Sequence, residues 1–468
     1  MPAARCLPLL LPLLLPLSLS LVACRATAPA DSVLVVWAGD SAQKSGDFLA
    51  VIDANAASPT YGSVVTSLAT GTIGAHPHHT EAEMPVDGHL LANGFESGQT
   101  WLFDLTTPRT PRILTSFGNL AGLSHPHTYV RMANGHVLAT FQYLADSASA
   151  ISTSASTSAS ASPASPAMGG MAGMSGMANM TLGGVHATGG LIEMDERGTV
   201  IQRGSARDTT IADARIYPYS VLPMPSIDRA ISTTTDMDAA DSANTAEWVQ
   251  LWQLSELKLL KSVALRPGPR GDEHRFTGEP HLLPDGRSIY IHTFNCGLYL
   301  LRGVESDTPT STFVKGFAGK DCGVPILTSH YWLQPVPETH ALVALDISDP
   351  EHPREVSSVS FGNDEMPHWI ALDPTGKRVV LNSGGNSKGN RLFVINFDPT
   401  TGALAIDEKF RDAGSDRAGV SMNGKTWPHG FTGNAKPHGT VFSRLQMRSS
   451  TMAGAMQRLA SLTAETGS

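Results

Sequence analysis

The sequence repeats one pair of residues, proline followed by histidine, along most of its length. With 17 His and 31 Pro among 468 residues, random placement would give about one such pair at average usage. The chain has six: Pro77-His78, Pro126-His127, Pro280-His281, Pro367-His368, Pro428-His429 and Pro437-His438. Neutral imidazole is a good ligand for Cu, Zn, Fe and Ni above roughly pH 6.5. The recurrence indicates a repeated structural unit that presents histidine at the same place each time.

Seven similar segments supply the elements that would position these histidines. Each has an apolar strand, a turn rich in Pro, Asp or Gly, and a second strand, with the period-two alternation that predicts β-hairpins. The segments are 48–68, 101–117, 190–205, 249–265, 297–317, 341–361 and 391–410. A histidine or its equivalent (Ser220 in the third unit) followed by a turn and a β-rich run precedes most hairpins. Two hairpins per unit predict an all-β, seven-bladed β-propeller, closed by strands from both termini, with one strand at 33–39.

The start of the innermost strand in each blade would place the aligned histidines around one mouth of the central channel. A single histidine at a strand end is more often a surface or hydrogen-bonding residue, but the joint recurrence favours a metal site that uses at least three of them. The predicted ligands are His78, His79, His127, His281, His368 and His429, with His330 at the corresponding place in the fifth unit. Nearby carboxylates either orient these rings or are ordinary solvated groups: Glu81, Glu83, Glu279 and Glu365.

A low-complexity segment at 145–184 interrupts the second blade. It has too few large apolar residues to pack and is predicted to be a disordered insert. Thioether sulfur is a soft ligand suited to Cu(I), so the regularly spaced methionines predict soft-metal capture, unless they reflect only compositional drift. They are Met168, Met171, Met174, Met177 and Met180.

The first residues have the pattern of an export signal. A short positive region, an apolar run and the sequence Leu21-Val22-Ala23-Cys24 predict a lipoprotein signal at 1–23, with Cys24 as the lipidated residue that anchors a periplasmic protein to the membrane. An ordinary cleaved signal is the alternative. The remaining chain divides into a linker at 24–32, the propeller at 33–444 and a tail at 445–468. An exported compartment permits a disulfide between Cys296 and Cys322.

Charge and motifs exclude several classes of function. The net charge is -9 and no basic run occurs, which argues against nucleic acid as a partner. The sequence contains neither the G-x-S-x-G context of a serine hydrolase nor a glycine-rich phosphate loop. No residue identifies a separate general base, so the catalytic residues are not predicted.

Four stretches resemble the selenium-binding protein / methanethiol oxidase family. They are DFLAVIDANAASPTYGSVV at 47–65, the pair His78-His79, HTYVRMANGHVL from His127, and ALDISDPEHPREV at 344–356. Their order and spacing extend the resemblance over most of the mature chain. The resemblance implies a seven-bladed propeller and, as in the exported bacterial methanethiol oxidases, copper. It places metal ligands on His78, His79 and His127, with a further ligand near the C-terminus that best matches His429.

The chain also departs from that family in three places. Thr80-Glu81-Ala82 replaces the usual Gly-Trp-Asn after the histidine pair, and the reactive cysteine segment is absent. GNAKPHGTVFSR at 433–444 replaces the Gly-Gly-Asp-Cys tail. The scaffold and the metal ring are therefore expected to carry over more readily than the substrate or selenium binding.

Three functions are consistent with these features. The first is a copper-dependent periplasmic oxidase that converts a small thiol such as methanethiol, with oxygen and water, to formaldehyde, hydrogen sulfide and hydrogen peroxide. The second is a non-catalytic lipoprotein that binds or stores copper. The third is a propeller interaction module with an empty channel.

Overall fold

The computed structural model describes residues 32–145, 186–211, 216–237, 246–306, 308–384 and 387–444. Its strands form seven antiparallel sheets of four or five strands and one small extra hairpin, so the predicted seven-bladed β-propeller is confirmed. All seven predicted hairpins are present as neighbouring strand pairs. No helix in the described ranges has the length and apolar character needed to span a membrane.

In blades 1 to 6 the strands follow one another along the chain, starting from the innermost strand. Before the first complete blade come β1 (Val33–Asp40), β2 (Gly46–Asp53) and β3 (Val64–Ile73). Blade 1 contains β4 (Pro77–Thr80), β5 (His89–Gly94), β6 (Gln99–Asp104) and β7 (Arg112–Phe117). Blade 2 contains β8 (Leu123–Arg131), β9 (Val137–Leu144), β10 (Thr188–Met194) and β11 (Val200–Ser205). Blade 3 contains β12 (Pro218–Met224), β13 (Arg229–Thr234), β14 (Trp248–Gln253) and β15 (Lys258–Ala264).

The later blades repeat this order. Blade 4 contains β16 (Thr277–Leu282), β17 (Ile289–Thr293), β18 (Gly297–Arg302) and β19 (Thr310–Gly316). Blade 5 contains β20 (Ile326–Leu327), β21 (Tyr331–Val336), β22 (Ala341–Asp346) and β23 (Arg354–Ser360). Blade 6 contains β24 (Pro367–Leu372), β25 (Arg378–Ser383), β26 (Arg391–Phe397), β27 (Leu404–Ile406) and β28 (Val420–Ser421). The extra hairpin is β29 (Lys425–Thr426) and β30 (Thr432–Gly433), and short 3₁₀ helices lie at Pro225–Ile227 and Pro337–Thr339.

Blade 7 closes the ring with strands from both ends of the described chain. Its innermost strand is β31 (Ala435–Phe442), which pairs with β1, and β2 and β3 complete the sheet. Leu34 lies opposite Phe442, and Ala38 lies opposite Pro437. Because the ring is closed, each sheet packs between two others, and no blade has an uncovered face.

The core lies between the blades, and β1 illustrates how the sequence builds it. Every residue of this strand is buried. Val35 and Trp37 pack toward blade 1 against Leu90, whereas Leu34 and Val36 pack toward blade 6. Alternate residues point to opposite faces of a strand, and each such side chain contributes about 1.5–3 kcal/mol when fully buried. The continuous apolar run VLVVWAG is therefore typical of a strand that is covered on both faces.

Candidate metal centre

A β-bulge at the start of β4 positions the densest histidine pair. Pro77 lies opposite Gly94, and the next paired residue, Thr80, lies opposite Ala92, so His78 and His79 together face a single residue of β5. Consecutive residues of a regular strand point to opposite faces, but a bulge redirects side chains. The two imidazole rings stack with their centroids 4.4 Å apart. The bulge thus brings both histidines to one site.

The side chain of Asn93 satisfies the backbone that this bulge leaves unpaired. Its Oδ1 accepts a hydrogen bond from the His79 N–H at 2.7 Å, and its Nδ2 donates to the Pro126 carbonyl at 2.7 Å. Asn93 is fully buried and ties blade 1 to blade 2. Blade 2 repeats the arrangement, because His127 lies in the bulge between Pro126 and Tyr129.

Three histidines from blades 1 and 2 therefore converge near the N-terminal mouth of the propeller, the end at which the innermost strands begin. His78, His79 and His127 are buried, and one ring nitrogen of each lies within 4.8 Å of the others. The Nε2 atoms of His78 and His127 are 2.9 Å apart. These three residues and His438 of blade 7, whose ring centroid is 4.2 Å from that of His78, are called the histidine cluster below.

Burial keeps the four imidazoles neutral. Loss of solvation lowers the pKa of His127 to about 3 and lowers the pKa values of His78, His79 and His438 well below the usual value, with additional repulsion from the neighbouring rings. A neutral imidazole has a lone pair available for a metal ion, whereas an imidazolium does not. At neutral pH the cluster is therefore ready to bind a cation.

Some ring nitrogens of the cluster are hydrogen-bonded and others are not: the Nε2 atoms of His78 and His127 share a hydrogen bond. The Nδ1–H of His127 donates to the Tyr219 carbonyl at 2.8 Å, so its Nε2 carries the lone pair. Neither ring nitrogen of His438, nor Nδ1 of His78, has a hydrogen-bond partner among the described residues. Buried polar atoms are rarely left unpaired. A metal ion would satisfy one nitrogen of each ring that it binds. Ligand nitrogens on a tetrahedral ion are about 3.3 Å apart, so Nε2 of His78 and Nε2 of His127, which are 2.9 Å apart, would separate slightly around an ion.

Aromatic side chains form the walls around the cluster. The Tyr219 hydroxyl lies 3.2 Å from Nε2 of His79, and the Trp369 ring packs edge-on against His79 at 4.9 Å. Phe95 lies 6.0 Å from the ring of His78. Tyr219 follows Pro218 in the bulge of blade 3, where blades 1 and 2 have Pro-His. This pairing of proline with an aromatic residue was a signal in the sequence for Tyr219, whereas the prediction had aligned Ser220.

The structure places His438 in the cluster, and it does not bring the predicted ligand His429 there. His429 lies in the extra hairpin, where its Nδ1 is 2.7 Å from the Ser67 hydroxyl of β3 and its ring packs on Phe48 at 4.7 Å. That contact places it at the outer side of blade 7. His438 belongs to the innermost strand and follows Pro437 directly, so the sixth Pro-His pair was the available signal.

His281 also lies outside the cluster, contrary to the prediction. In blade 4 the bulge falls on Gly278 and Glu279, between the pairs Thr277–Thr293 and Pro280–Ile291. His281 comes after the bulge and packs edge-on against Trp332 at 5.1 Å. The place that corresponds to His78 is Gly278, where the ring of His292 fills the space that a side chain would need.

His368 borders the cluster, and His330 is remote from it. The ring of His368 lies 4.9 Å from that of His438, and burial lowers its pKa to about 4. It is an outer neighbour of the site rather than one of the three histidines that share a common centre. His330 is exposed on a turn of blade 5, so its place in the predicted ring is wrong.

Most of the nearby carboxylates are engaged elsewhere. Arg131 binds Glu81 at 2.7 Å, Arg417 binds Glu365 at 2.9 Å, and Glu83 is exposed. Glu279 instead accepts a hydrogen bond from the Ser220 hydroxyl. Burial raises the pKa of Glu279 to about 7, and the charge of Glu279 contributes to raising the pKa of Tyr219. It is thus a titratable group beside the wall of the cluster.

A second group of possible metal ligands does not form a cation site. Asp87, His89 and Glu196 lie close together, but Nη1 of Arg131 binds Asp87 at 3.2 Å and Glu196 at 3.1 Å. The guanidinium already occupies the position of a cation there.

The other predicted features divide between described and undescribed residues. Cys296 and Cys322 form a disulfide with an S–S distance of 2.10 Å. Cys24, the predicted lipidation site, and the methionines at 168–180 lie outside the described residues, as do the predicted signal segment and the C-terminal tail.

Comparisons with known proteins give likeness in structure rather than in sequence. Neither a protein-family model nor a curated protein matches the chain. A solved structure from Sulfolobus tokodaii, described as a hypothetical selenium-binding protein, has a TM-score of 0.62 at 15% identity and covers 89% of this chain and 94% of its own. The periplasmic gluconolactonase of Pseudomonas aeruginosa has a TM-score of 0.53 at 14% identity and covers 88% and 99%. At these identities the likeness establishes the β-propeller fold alone.

Proposed function

We propose that this protein is a copper-dependent oxidase of a small thiol, exported and anchored to the membrane through Cys24. The observation that carries the proposal is the histidine cluster, in which four buried imidazoles from blades 1, 2 and 7 meet. The resemblance of the sequence to the selenium-binding protein / methanethiol oxidase family supports three of these ligands, His78, His79 and His127. The likeness in fold to a structure described as a selenium-binding protein is consistent with it.

The donor set fits copper. Imidazole nitrogen suits Cu(I) and Cu(II), and affinity for divalent ions at such sites is highest for copper. His78, His79, His127 and His438 would hold the ion, and Tyr219 fixes the tautomer of His127 through its carbonyl. When bound, copper supplies an electrophilic centre for the thiolate and a path for electrons to oxygen.

The overall reaction balances as methanethiol, oxygen and water giving formaldehyde, hydrogen sulfide and hydrogen peroxide. The carbon of methanethiol loses two electrons, and oxygen gains them. A base must accept the thiol proton. Glu279 is a candidate for that role, because it binds the hydroxyl of Ser220, the residue after Tyr219 in the cluster wall, and burial raises its pKa to about 7, near the working pH. Phe95, Tyr219 and Trp369 exclude water and offer an apolar surface to the methyl group.

The direct test is oxygen uptake by the copper-loaded protein on addition of methanethiol. Formaldehyde, sulfide and peroxide should appear in equal amounts with the oxygen consumed, and His127→Ala should lose both copper and turnover. His136→Ala is the matched control, because His136 lies on the exposed turn before β9 and pairs with Glu193. Stoichiometric copper without any thiol-dependent oxygen uptake would reject the oxidase.

A lipoprotein that holds copper without catalysis is the second candidate. It is favoured by the place in the chain of the methionine-rich segment, which is inserted between β9 and β10 of blade 2. The described chain stops after β9 and resumes before β10, where Leu144 pairs with Leu123 and Thr188 pairs with Tyr143. The described residues that flank the segment, Leu144 and Thr188, thus lie at the end of blade 2 where β8 begins. Deleting 168–180 should slow copper capture in this case. If that deletion removes copper and His127→Ala does not, the histidine cluster is not the copper site. If the wild-type protein binds no copper at all, the result supports the interaction module instead.

A further inference from the structure

A cavity opens at the N-terminal mouth between blade 7 and blade 1 and reaches the histidine cluster. Its volume is about 190 Å³, and its lining includes Asp47, Gly74, His76, Pro77, Lys436 and His438. His438 therefore belongs both to the cluster and to the wall of this cavity. Pockets for drug-sized ligands are typically about 300–1,000 Å³, so this one suits a smaller molecule.

Lys436 gives the cavity a positive charge without an acidic partner. No carboxylate lies within 4.0 Å of its ammonium group among the described residues, whereas Lys320 and Lys425 each have one at 2.7 Å. The side chain is half-buried on β31, two positions before His438. Its side chain lines the same cavity as His438, and burial lowers the pKa of Lys436 from its usual value.

The two aspartates of the cavity wall are already engaged. Asp40 accepts hydrogen bonds from the backbone N–H groups of Ala42, Lys44 and Ser45 at 2.9 Å each. Asp47 accepts the N–H of Ala75 at 2.7 Å, and burial raises the pKa of its carboxyl to about 7. Burial opposes ionisation of Asp40, but the backbone N–H bonds lower its pKa overall, so its carboxylate stays charged. The partners of both carboxylates are these four N–H groups rather than Lys436.

We propose, on the basis of the thiol oxidase function, that this cavity is a subsite for an anionic group and that the substrate is a small thiol carrying a carboxylate. Lys436 would pair with the carboxylate, and a chain of two or three carbons would bring the thiol to the side of the cluster formed by His438. The cavity then distinguishes such a substrate from a neutral thiol of the same size. A charged hydrogen bond at a half-buried lysine corresponds to about a 10- to 100-fold difference in affinity.

The test compares 3-mercaptopropionate with the neutral 3-mercaptopropanamide by calorimetry on the full-length, metal-free protein. The carboxylate should bind about 10- to 100-fold more tightly. Lys436→Met should abolish the difference, Lys436→Arg should keep most of it, and Lys44→Met, which removes an exposed lysine beside the mouth, should keep all of it. Equal affinity of the wild-type protein for both compounds overturns the proposal, as does discrimination that survives in Lys436→Met.

A measurement without variants guards against a misfolded Lys436→Met protein. Propionate should displace 3-mercaptopropionate from the wild-type protein, whereas propionamide should not, and displacement by both or by neither counts against the subsite. Oxygen uptake by the copper-loaded protein separates the two proposals. Oxidation of methanethiol with no preference for the carboxylate thiol would support the thiol oxidase function and reject the subsite. Preferential binding without oxidation of either thiol keeps the subsite and rejects the oxidase.

Discussion

Replacing His438 with glutamine tests whether it completes the metal centre. The His438 ring lies 4.2 Å from that of His78, and both of its nitrogens lack hydrogen-bond partners in the described parts of the chain. Glutamine has a similar size but offers no imidazole lone pair. His429→Gln is the matched control, because His429 is bonded to Ser67 outside the cluster and follows a proline in the same way.

The size of the effect follows from the role of the ring. Loss of a group that only orients a metal ligand typically lowers metal affinity about 10- to 100-fold, so loss of a ligand itself should cost about 100-fold or more. That factor corresponds to about 2.7 kcal/mol. The stabilisation of the folded protein by copper should shrink by a similar amount, because a ligand that binds only the native state stabilises it in proportion to its affinity.

Competition with a copper chelator gives the affinity, and urea unfolding with and without copper gives the stabilisation. His438→Gln should weaken both, and His429→Gln should match the wild-type protein in copper affinity. Unchanged affinity in His438→Gln, together with a loss in His429→Gln, would show that the fourth ligand comes from the extra hairpin and that the assignment from ring distances is incorrect.

Three further predictions concern the stability of the propeller and use substitutions of Asn93, of His281 and of the two disulfide cysteines. Asn93→Ala removes the acceptor of the His79 N–H and the donor to the Pro126 carbonyl. At about 1–3 kcal/mol per unpaired buried group, the free energy of unfolding in urea should fall by about 2–6 kcal/mol, and a loss below 1 kcal/mol would refute the bridging role. His281→Gln should leave copper content unchanged and reduce acid sensitivity of the metal-free protein. Burial lowers the pKa of His281 from 6.5 to about 4, so the unfolded chain takes up a proton first and stability falls by roughly 3 kcal/mol as pH drops from 6.5 to 4. This loss should be absent in the variant, as measured by denaturation across that range. Replacing both Cys296 and Cys322 with serine opens a bond between residues 26 apart and should cost roughly 3 kcal/mol, whereas a denaturation midpoint equal to that of the oxidised wild-type protein would contradict it.

The blades could be predicted from sequence because their signals are local. Strands such as β1 and β22 have apolar patterns that follow from burial on both faces, and the turns between them carry Pro, Asp and Gly. Each of the seven hairpins joins neighbouring stretches of chain, so no knowledge of distant contacts was needed. The ring closure was also expected, because a propeller without it would expose strand edges.

The members of the cluster could be predicted only in part, because a bulge cannot be located from one strand alone. His78 and His127 come directly after a proline in an innermost strand, His79 is the neighbour of His78, and the structure brings the three together. His281 also follows a proline, but the blade 4 bulge lies at Gly278 and Glu279, before that proline, so His281 is three residues beyond the place that corresponds to His78. A shift by an odd number of residues sends a side chain to the other face of a sheet, and the position of the bulge depends on pairing with β17.

The sequence by itself thus determined the number of blades, their hairpins and the residue type at the site, since these depend on periodicity and composition. Only the tertiary structure decided which histidines meet. It replaced His429 with His438, because the innermost strand of blade 7 comes from 435–442 and places that ring 4.2 Å from His78. It also placed Lys436 beside the cluster, in a wall shared by strands from the two ends of the described chain. Contacts between residues so far apart in the chain depend on how the ring closes, which no local pattern records.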